Sequence, residues 1–374
     1  SESGFNIQNV KIVKDVVSVP VIGVGRMNDP ALMLSALRTG AMDFVALGRE
    51  SVCDPHLPEK IKEGRLDEIL TCTGCMQRCL YPNSFEEGFG ISCMINPFSG
   101  KEHIWEITPA EKKKKIAVVG AGPVGLQAAW ILAKRGHEVK VYEKEITAGG
   151  QYRLAAVPAM KQELAKTIST YLTFCKKYGA EVIYGVKATK EMLEQEGFDE
   201  IILACGAQPL VPRIPGIDGE NVYLANQVLS FDVRLSGQKI LVLGAGLVGA
   251  EAAEVLSTYG NKVTVVDMLD KAAPLAPLRP RENLLSRLDK AGVGFCLNSR
   301  VCEIRPDGIR YEQNGETKEM TGFDSIVLAF GSRSDKALET EYEGDHRIHS
   351  VGDCLTAGDA KKGIYEATKL AMVL

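Results

Sequence analysis

Two short segments constrain this chain more than any others: Gly120-Ala-Gly122-Pro-Val-Gly125 and Gly244-Ala-Gly246-Leu-Val-Gly249. Each follows an apolar run that reads as a strand, 115–119 and 239–243, and opens a run that reads as a helix, 124–134 and 248–257. A lone glycine motif says little. A strand running into the first glycine and a helix leaving the last can set a pyrophosphate against backbone N–H groups and the helix dipole. The next strand of each unit, 139–142 and 263–266, leads to an acid, Glu143 and Asp267, each 23 residues after its first glycine. An acid there can accept hydrogen bonds from ribose hydroxyls. The repeated grammar predicts two Rossmann-like α/β units, each holding a dinucleotide.

The surroundings distinguish the two sites. Asp267 is followed by Met268 and Leu269, with no arginine at once beside it. An acid in that place repels a 2′-phosphate, so the second site favours NAD(H) over NADP(H). The first turn is followed by Ala148-Gly149-Gly150-Gln151, and the chain returns with Gly352-Asp353 before a last helix at about 364–373. A contact from so far along the chain suits a large ligand such as FAD. Ala204-Cys-Gly206 and Ala329-Phe-Gly331 are two further glycine turns after apolar strands, and they close the two units.

Ahead of both units stand Cys72, Cys75, Cys79 and Cys93, spaced C-x2-C-x3-C-x13-C. Thiolates are soft ligands, suited to zinc or to iron–sulfur clusters. Structural zinc more often takes two paired C-x2-C knuckles. Here Cys93 stands alone, which fits a [4Fe–4S] cubane better. The other six cysteines, Cys53, Cys175, Cys205, Cys296, Cys302 and Cys354, are scattered and read as small buried side chains. With no C-x4-C or C-x2-C pair near either glycine turn, a flavin–disulfide relay is not expected.

The first 70 residues read as two βα units. Residues 19–24 and 43–47 are short apolar strands, and 30–39 and 57–63 are helices. Continuous apolar strands covered by helices are the mark of a parallel sheet. Two such units can neither close a barrel nor stand alone as a sheet, so the remainder is expected from elsewhere. Residues 101–115 are polar and lysine-rich and read as a linker. The formal net charge of -4 gives no global basic field for nucleic acid. No apolar run is long enough to span a bilayer. Ten cysteines behind an N-terminus without the features of a signal peptide predict a cytoplasmic, reducing setting.

In this order the motifs resemble a known flavoprotein family, that of 2,4-dienoyl-CoA reductase, trimethylamine dehydrogenase and the bile-acid and enoate reductases. Nearly the whole chain resembles its C-terminal part. Pro20-Val-Ile-Gly-Val-Gly25-Arg26 is similar to the seventh strand and phosphate loop of its FMN-binding TIM barrel, and Ala46-Leu-Gly48-Arg49 to the eighth. Cys72-Thr-Gly-Cys75-Met-Gln-Arg-Cys79 with Cys93-Met-Ile-Asn-Pro97 resembles its cluster motif. Gly149-Gly150-Gln151 and Val351-Gly352-Asp353 resemble its FAD signatures. The resemblance implies a barrel remnant at 1–70, an iron–sulfur segment at 71–100, a linker at 101–115, FAD-domain parts at 116–225 and 336–374, and an NAD(P) domain at 226–335. It also implies that Gly25, Arg26, Gly48 and Arg49 face an FMN phosphate. The family's first six barrel strands carry its substrate-facing acid and most FMN contacts. None is in this sequence, so FMN is expected only with the rest of the barrel, in cis or in another chain.

The expected electron path is NADH to FAD to the cluster to FMN, because a flavin can take a hydride pair and release single electrons. The intact second turn favours use of NAD(H), and the resemblance implies reduction of an activated C=C bond as the end use. The alternatives are an amine dehydrogenase-like flow, a non-catalytic assembly segment, and a flavoenzyme like the glutamate synthase small subunit. No side chain stands out as an acid or base, and a homo-oligomer is left open.

Overall fold

The computed structural model describes residues 2–80 and 90–374. It is mixed α/β with parallel sheets, as the sequence predicts. The first dinucleotide unit is a five-stranded parallel sheet in the spatial order Ile348–Ser350, Glu200–Leu203, Lys115–Val119, Glu138–Glu143, Glu181–Tyr184. The strand before the first glycine turn lies at its centre. Its residues Ile116, Ala117 and Val118 are fully buried, because helices cover one face and the second core closes the other. The Pro123–Lys134 helix packs against both the Glu163–Tyr178 helix and the C-terminal Ala360–Val373 helix.

The second unit repeats the plan. Its parallel sheet runs Gly294–Cys296, Lys262–Val266, Lys239–Leu243, Ser325–Leu328, Val222–Leu224. The expected division at 225/226 therefore falls too late, since Val222–Leu224 already pairs with Ser325–Leu328. A three-stranded antiparallel meander, Arg300–Arg305, Gly308–Gln313 and Glu316–Thr321, covers one side. The two units are joined by a short antiparallel ribbon, Ala207–Pro209 against Ser332–Ser334.

The N-terminal segment holds the two expected strands, but only Ile22–Gly23 and Phe44–Val45 are paired, parallel to each other. They are shorter than the apolar runs that predicted them. Among the described residues each has a single neighbouring strand, and Ile22 and Phe44 remain exposed. Helices at Pro30–Arg38 and Leu57–Lys62 match expectation. Those at Ile7–Lys14 and Arg49–Cys53 were not anticipated.

One helix fastens this segment and the cysteine segment to the first unit. From Glu163–Tyr178, Glu163 pairs with Arg26 at 2.8 Å and Thr170 Oγ1 donates to Ile69 O at 3.0 Å. Tyr171 Oη donates to Ile95 O at 2.7 Å, and Lys177 pairs with Glu68 at 2.7 Å. Tyr171 and Ile95 are both buried. Tyr171→Phe should therefore leave Ile95 O without its partner and cost about 1–3 kcal/mol, read as a lower urea midpoint at unchanged m. The start of the expected linker is also packed. Lys101 is buried, and Trp105 stacks on Tyr365 of the C-terminal helix with ring centroids 5.4 Å apart. Among the described residues no helix is long and apolar enough to cross a membrane.

Candidate functional site

The two glycine turns have the same geometry. Gly120 and Gly244 have φ of +109° and +114°, a region that favours glycine, and a Cβ on either would press on backbone, 2.4 Å from Ala204 O or 2.3 Å from Ala329 O. A Cβ on Gly125 would lie 2.0 Å from Gly120 O, and one on Gly249 would lie 1.9 Å from Gly244 O. These glycines let each helix start pack against its own strand. Gly122 and Gly246 differ: a Cβ on either would meet nothing within 4 Å. Each is the N-cap of a twelve-residue helix with no side-chain cap, so the first N–H groups stay available for an anion. An open cradle beside free helix-terminal donors fits a pyrophosphate in both units.

The two acids are held alike. Glu143 Oε2 accepts from Ala121 N at 2.8 Å and Oε1 accepts from Glu145 N at 3.0 Å. Asp267 Oδ2 accepts from Ala245 N, and Oδ1 accepts from Leu269 N at 2.8 Å. Each carboxylate is thus tied to its own glycine turn and keeps lone pairs for a ribose.

The more distant residues of the first site also converge. Gly149 N donates to Ala121 O at 2.8 Å, and a Cβ on Gly150 would come 4.0 Å from Gly122 Cα. A Cβ on Gly352 would sit 3.0 Å from Val124 Cγ2, which puts Gly352 against the helix start. Asp353 follows, its Oδ1 accepting from Gly358 N at 3.0 Å, and burial pushes its carboxyl up. Gln151 Nε2 is committed to Ala207 O. Gly206 and Gly331 lie at the ribbon, where Gly206 O accepts from Asp335 N at 3.1 Å and Gly331 O from Leu210 N at 2.9 Å.

Cys72, Cys75 and Cys93 pack against the core of the first unit, while residues 81–89 of the expected iron–sulfur segment lie outside the described residues. Burial pushes the Cys72 thiol up to about 12 and Cys75 to about 11. Burial also raises Cys79, against the pull of the Arg49 cation. Charge on Cys93 acts on all three, so the four sulfurs share one neighbourhood. Cys93 itself is held below the usual thiol range by the Cys53 thiol beside it and by the N–H groups of Ile95, Asn96 and Met94. Among the described residues no three His, Cys, Asp or Glu side chains are gathered tightly enough for one metal ion. Two buried hydroxyls nearby, Ser92 Oγ and Tyr152 Oη, make no hydrogen bond of good geometry among the described residues. Buried donors in search of acceptors fit a sulfide-bearing cluster.

The barrel-loop residues are placed differently from one another. Arg26 is paired with Glu163 and lies against Gly74, where a Cβ would be 3.2 Å from its guanidinium. A Cβ on Gly25 would press on Asn6, whereas Gly48 is open. Arg49 Nη1 is buried without a hydrogen-bond partner among the described residues, so Gly48 and Arg49 fit an anion. Several residues near the thiols had no sequence signal. Cys53 meets Cys93 from forty residues away, and Glu50 Oε2 accepts from Cys72 N at 2.9 Å. Cys205 and Cys354, read as scattered, meet thiol to thiol beside the first unit's strand ends.

Two linked Rossmann-like units, each with a carboxylate anchored to its glycine turn, define an oxidoreductase of the flavin and pyridine-nucleotide class. The chain belongs to the pyridine nucleotide-disulphide oxidoreductase family, whose model matches residues 114–349. Residues 2–68 match the NADH:flavin oxidoreductase / NADH oxidase family. The chain is 34% identical to an NADH oxidase of Thermoanaerobacter brockii, with 96% of this chain and 57% of that protein aligned. It is 33% identical to a cinnamate reductase of Clostridium sporogenes, over 99% of this chain and 55% of that protein. Among solved structures, 2-naphthoyl-CoA reductase with 2-naphthoyl-CoA superposes at a TM-score of 0.93 with 29% identity, covering 100% of this chain and 57% of that one. The chain thus spans a little over half the length of these relatives.

Proposed function

We propose that this chain is the electron-transfer portion of an NADH-dependent iron–sulfur flavoprotein serving reduction of an activated C=C bond. FAD belongs in the first unit, with Gly120, Gly122 and Gly125 at the pyrophosphate, Glu143 at the ribose, and Gly150, Gln151, Gly206, Gly352 and Asp353 along its length. NAD(H) belongs in the second, against Gly244, Gly246, Gly249, Asp267 and Gly331. Cys72, Cys75, Cys79 and Cys93 hold a [4Fe–4S] cluster. Gly48 and Arg49 contribute to an FMN phosphate site that further barrel strands, in cis or in another chain, complete. Bound there, these groups supply hydride donation, two-to-one electron splitting and single-electron carriage. The residues of this chain bind and orient them. The open cradle at Gly122 and Gly246 is the observation that carries the reading. The cinnamate reductase and naphthoyl-CoA reductase likenesses support the C=C end use.

Anaerobic addition of NADH to the flavin-loaded chain should bleach the flavin absorbance, and an unchanged spectrum defeats the proposal. Asp267→Asn should weaken NADH by about tenfold or more, since a hydrogen bond to a charged acceptor contributes about 1.5–3 kcal/mol. NADPH should be affected less. Equal affinities in variant and wild type would remove Asp267 from the site.

A further inference from the structure

Tyr152 belongs to the short helix Gly150–Leu154 that follows directly on the first unit's Gly149-Gly150 turn. Its backbone N donates to Gly149 O at 3.1 Å, and Gly149 N in turn donates to Ala121 O inside the glycine turn. The residue is therefore rigidly tied to the candidate flavin site. Tyr152 belongs to the core shared by the cysteine segment and the first unit, and the residue is only 9% exposed. The hydroxyl lies within electrostatic reach of the Cys75, Cys93 and Cys53 sulfurs. Among the described residues it makes no hydrogen bond of good geometry; the Thr167 hydroxyl, buried and likewise without one, is near enough to act on it. A buried phenol O–H without an acceptor is costly unless something absent from the protein atoms accepts from it.

Resting on the iron–sulfur reading above, we infer that Tyr152 is a positioning residue for the cluster, its O–H donating a hydrogen bond to a cluster sulfur. Such a bond stabilises the more negative, reduced state and raises the reduction potential. No bond is made or broken and no proton leaves the phenol. The same side chain then spans the ground between the flavin turn and the cysteines.

The test compares the full chain with Tyr152→Phe, both reconstituted anaerobically with iron and sulfide. Equal iron and sulfide content with a lower midpoint potential in the variant, read by redox titration of the cluster's EPR signal, is expected. Equal potentials overturn the inference. Thermal unfolding of the two iron-free chains is the second measurement. Matching midpoints are expected, since the hydroxyl has no bond to lose. A clear drop would show that it serves Thr167 instead and would also overturn the inference. Loss of iron from the variant alone, at matching iron-free midpoints, would equally place the hydroxyl on the cluster. A wild-type chain that takes up no iron would instead defeat the iron–sulfur reading, and this inference with it.

Discussion

Gly125→Ala should cost the protein at least ~3 kcal/mol and strip it of flavin, because the new methyl would meet backbone with nowhere to go. A Cβ at Gly125 would stand 2.0 Å from Gly120 O, and neither atom is at the end of a flexible side chain. The helix would have to lift from the strand that carries the first turn, disturbing the buried contact of Leu126 and Ala129 with the sheet. Gly122→Ala is the matched control. Gly122 has φ of -71° and open space around it, so alanine should leave the apo stability within about 1 kcal/mol of wild type. Its methyl would occupy the place of the pyrophosphate, and FAD affinity should fall by about 100-fold, or ~2.7 kcal/mol. Urea unfolding and FAD titration separate the two effects. Equal FAD binding by the Gly122 variant and wild type would mean that no phosphate lies over that glycine.

Cys72→Ser or Cys93→Ser should take the iron content of the reconstituted chain from about four atoms per chain to near zero. Cys175→Ser should leave it unchanged. Cys175 is more fully buried than either, and its thiol faces Leu126 O at 3.7 Å, within the first unit's helices. Iron and acid-labile sulfide are measured together, and FAD and FMN are separated in the same samples. One zinc and no sulfide in the wild type would replace the cubane with a knuckle. Iron retained in both serine variants would remove these cysteines from the ligand set.

The dinucleotide units were legible because their information is local. Strand, glycine, helix and acid follow one another within about thirty residues, and each step has a steric reason visible in the residue types. The meander at 300–321 carries a local signal of its own. Asn314-Gly315 takes positive φ at both residues, the signature of a two-residue hairpin turn. The thiol neighbourhood was only half legible. Spacing marked the four expected ligands, but Cys53, Glu50 and Tyr152 reach them through tertiary packing. The Arg26 pair with Glu163 spans 137 positions, and no pattern near Gly25 could announce it. The 225/226 division missed because a three-residue strand, Val222–Leu224, has too little sequence to reveal which sheet it joins.

The ribbon of Ala207–Pro209 against Ser332–Ser334 means that the polypeptide leaves the first unit and re-enters it through adjacent positions. Everything from 210 to 331 is therefore a cassette whose two ends already touch. A short turn grafted across Pro209 and Ser332 would close the breach, while the five strands of the flavin-side sheet, all outside the excised stretch, would keep their neighbours. On the proposed assignment, the host would lose its nicotinamide station without losing its frame. Swapping that cassette for one of different coenzyme taste becomes a problem of two splice points rather than of a whole fold.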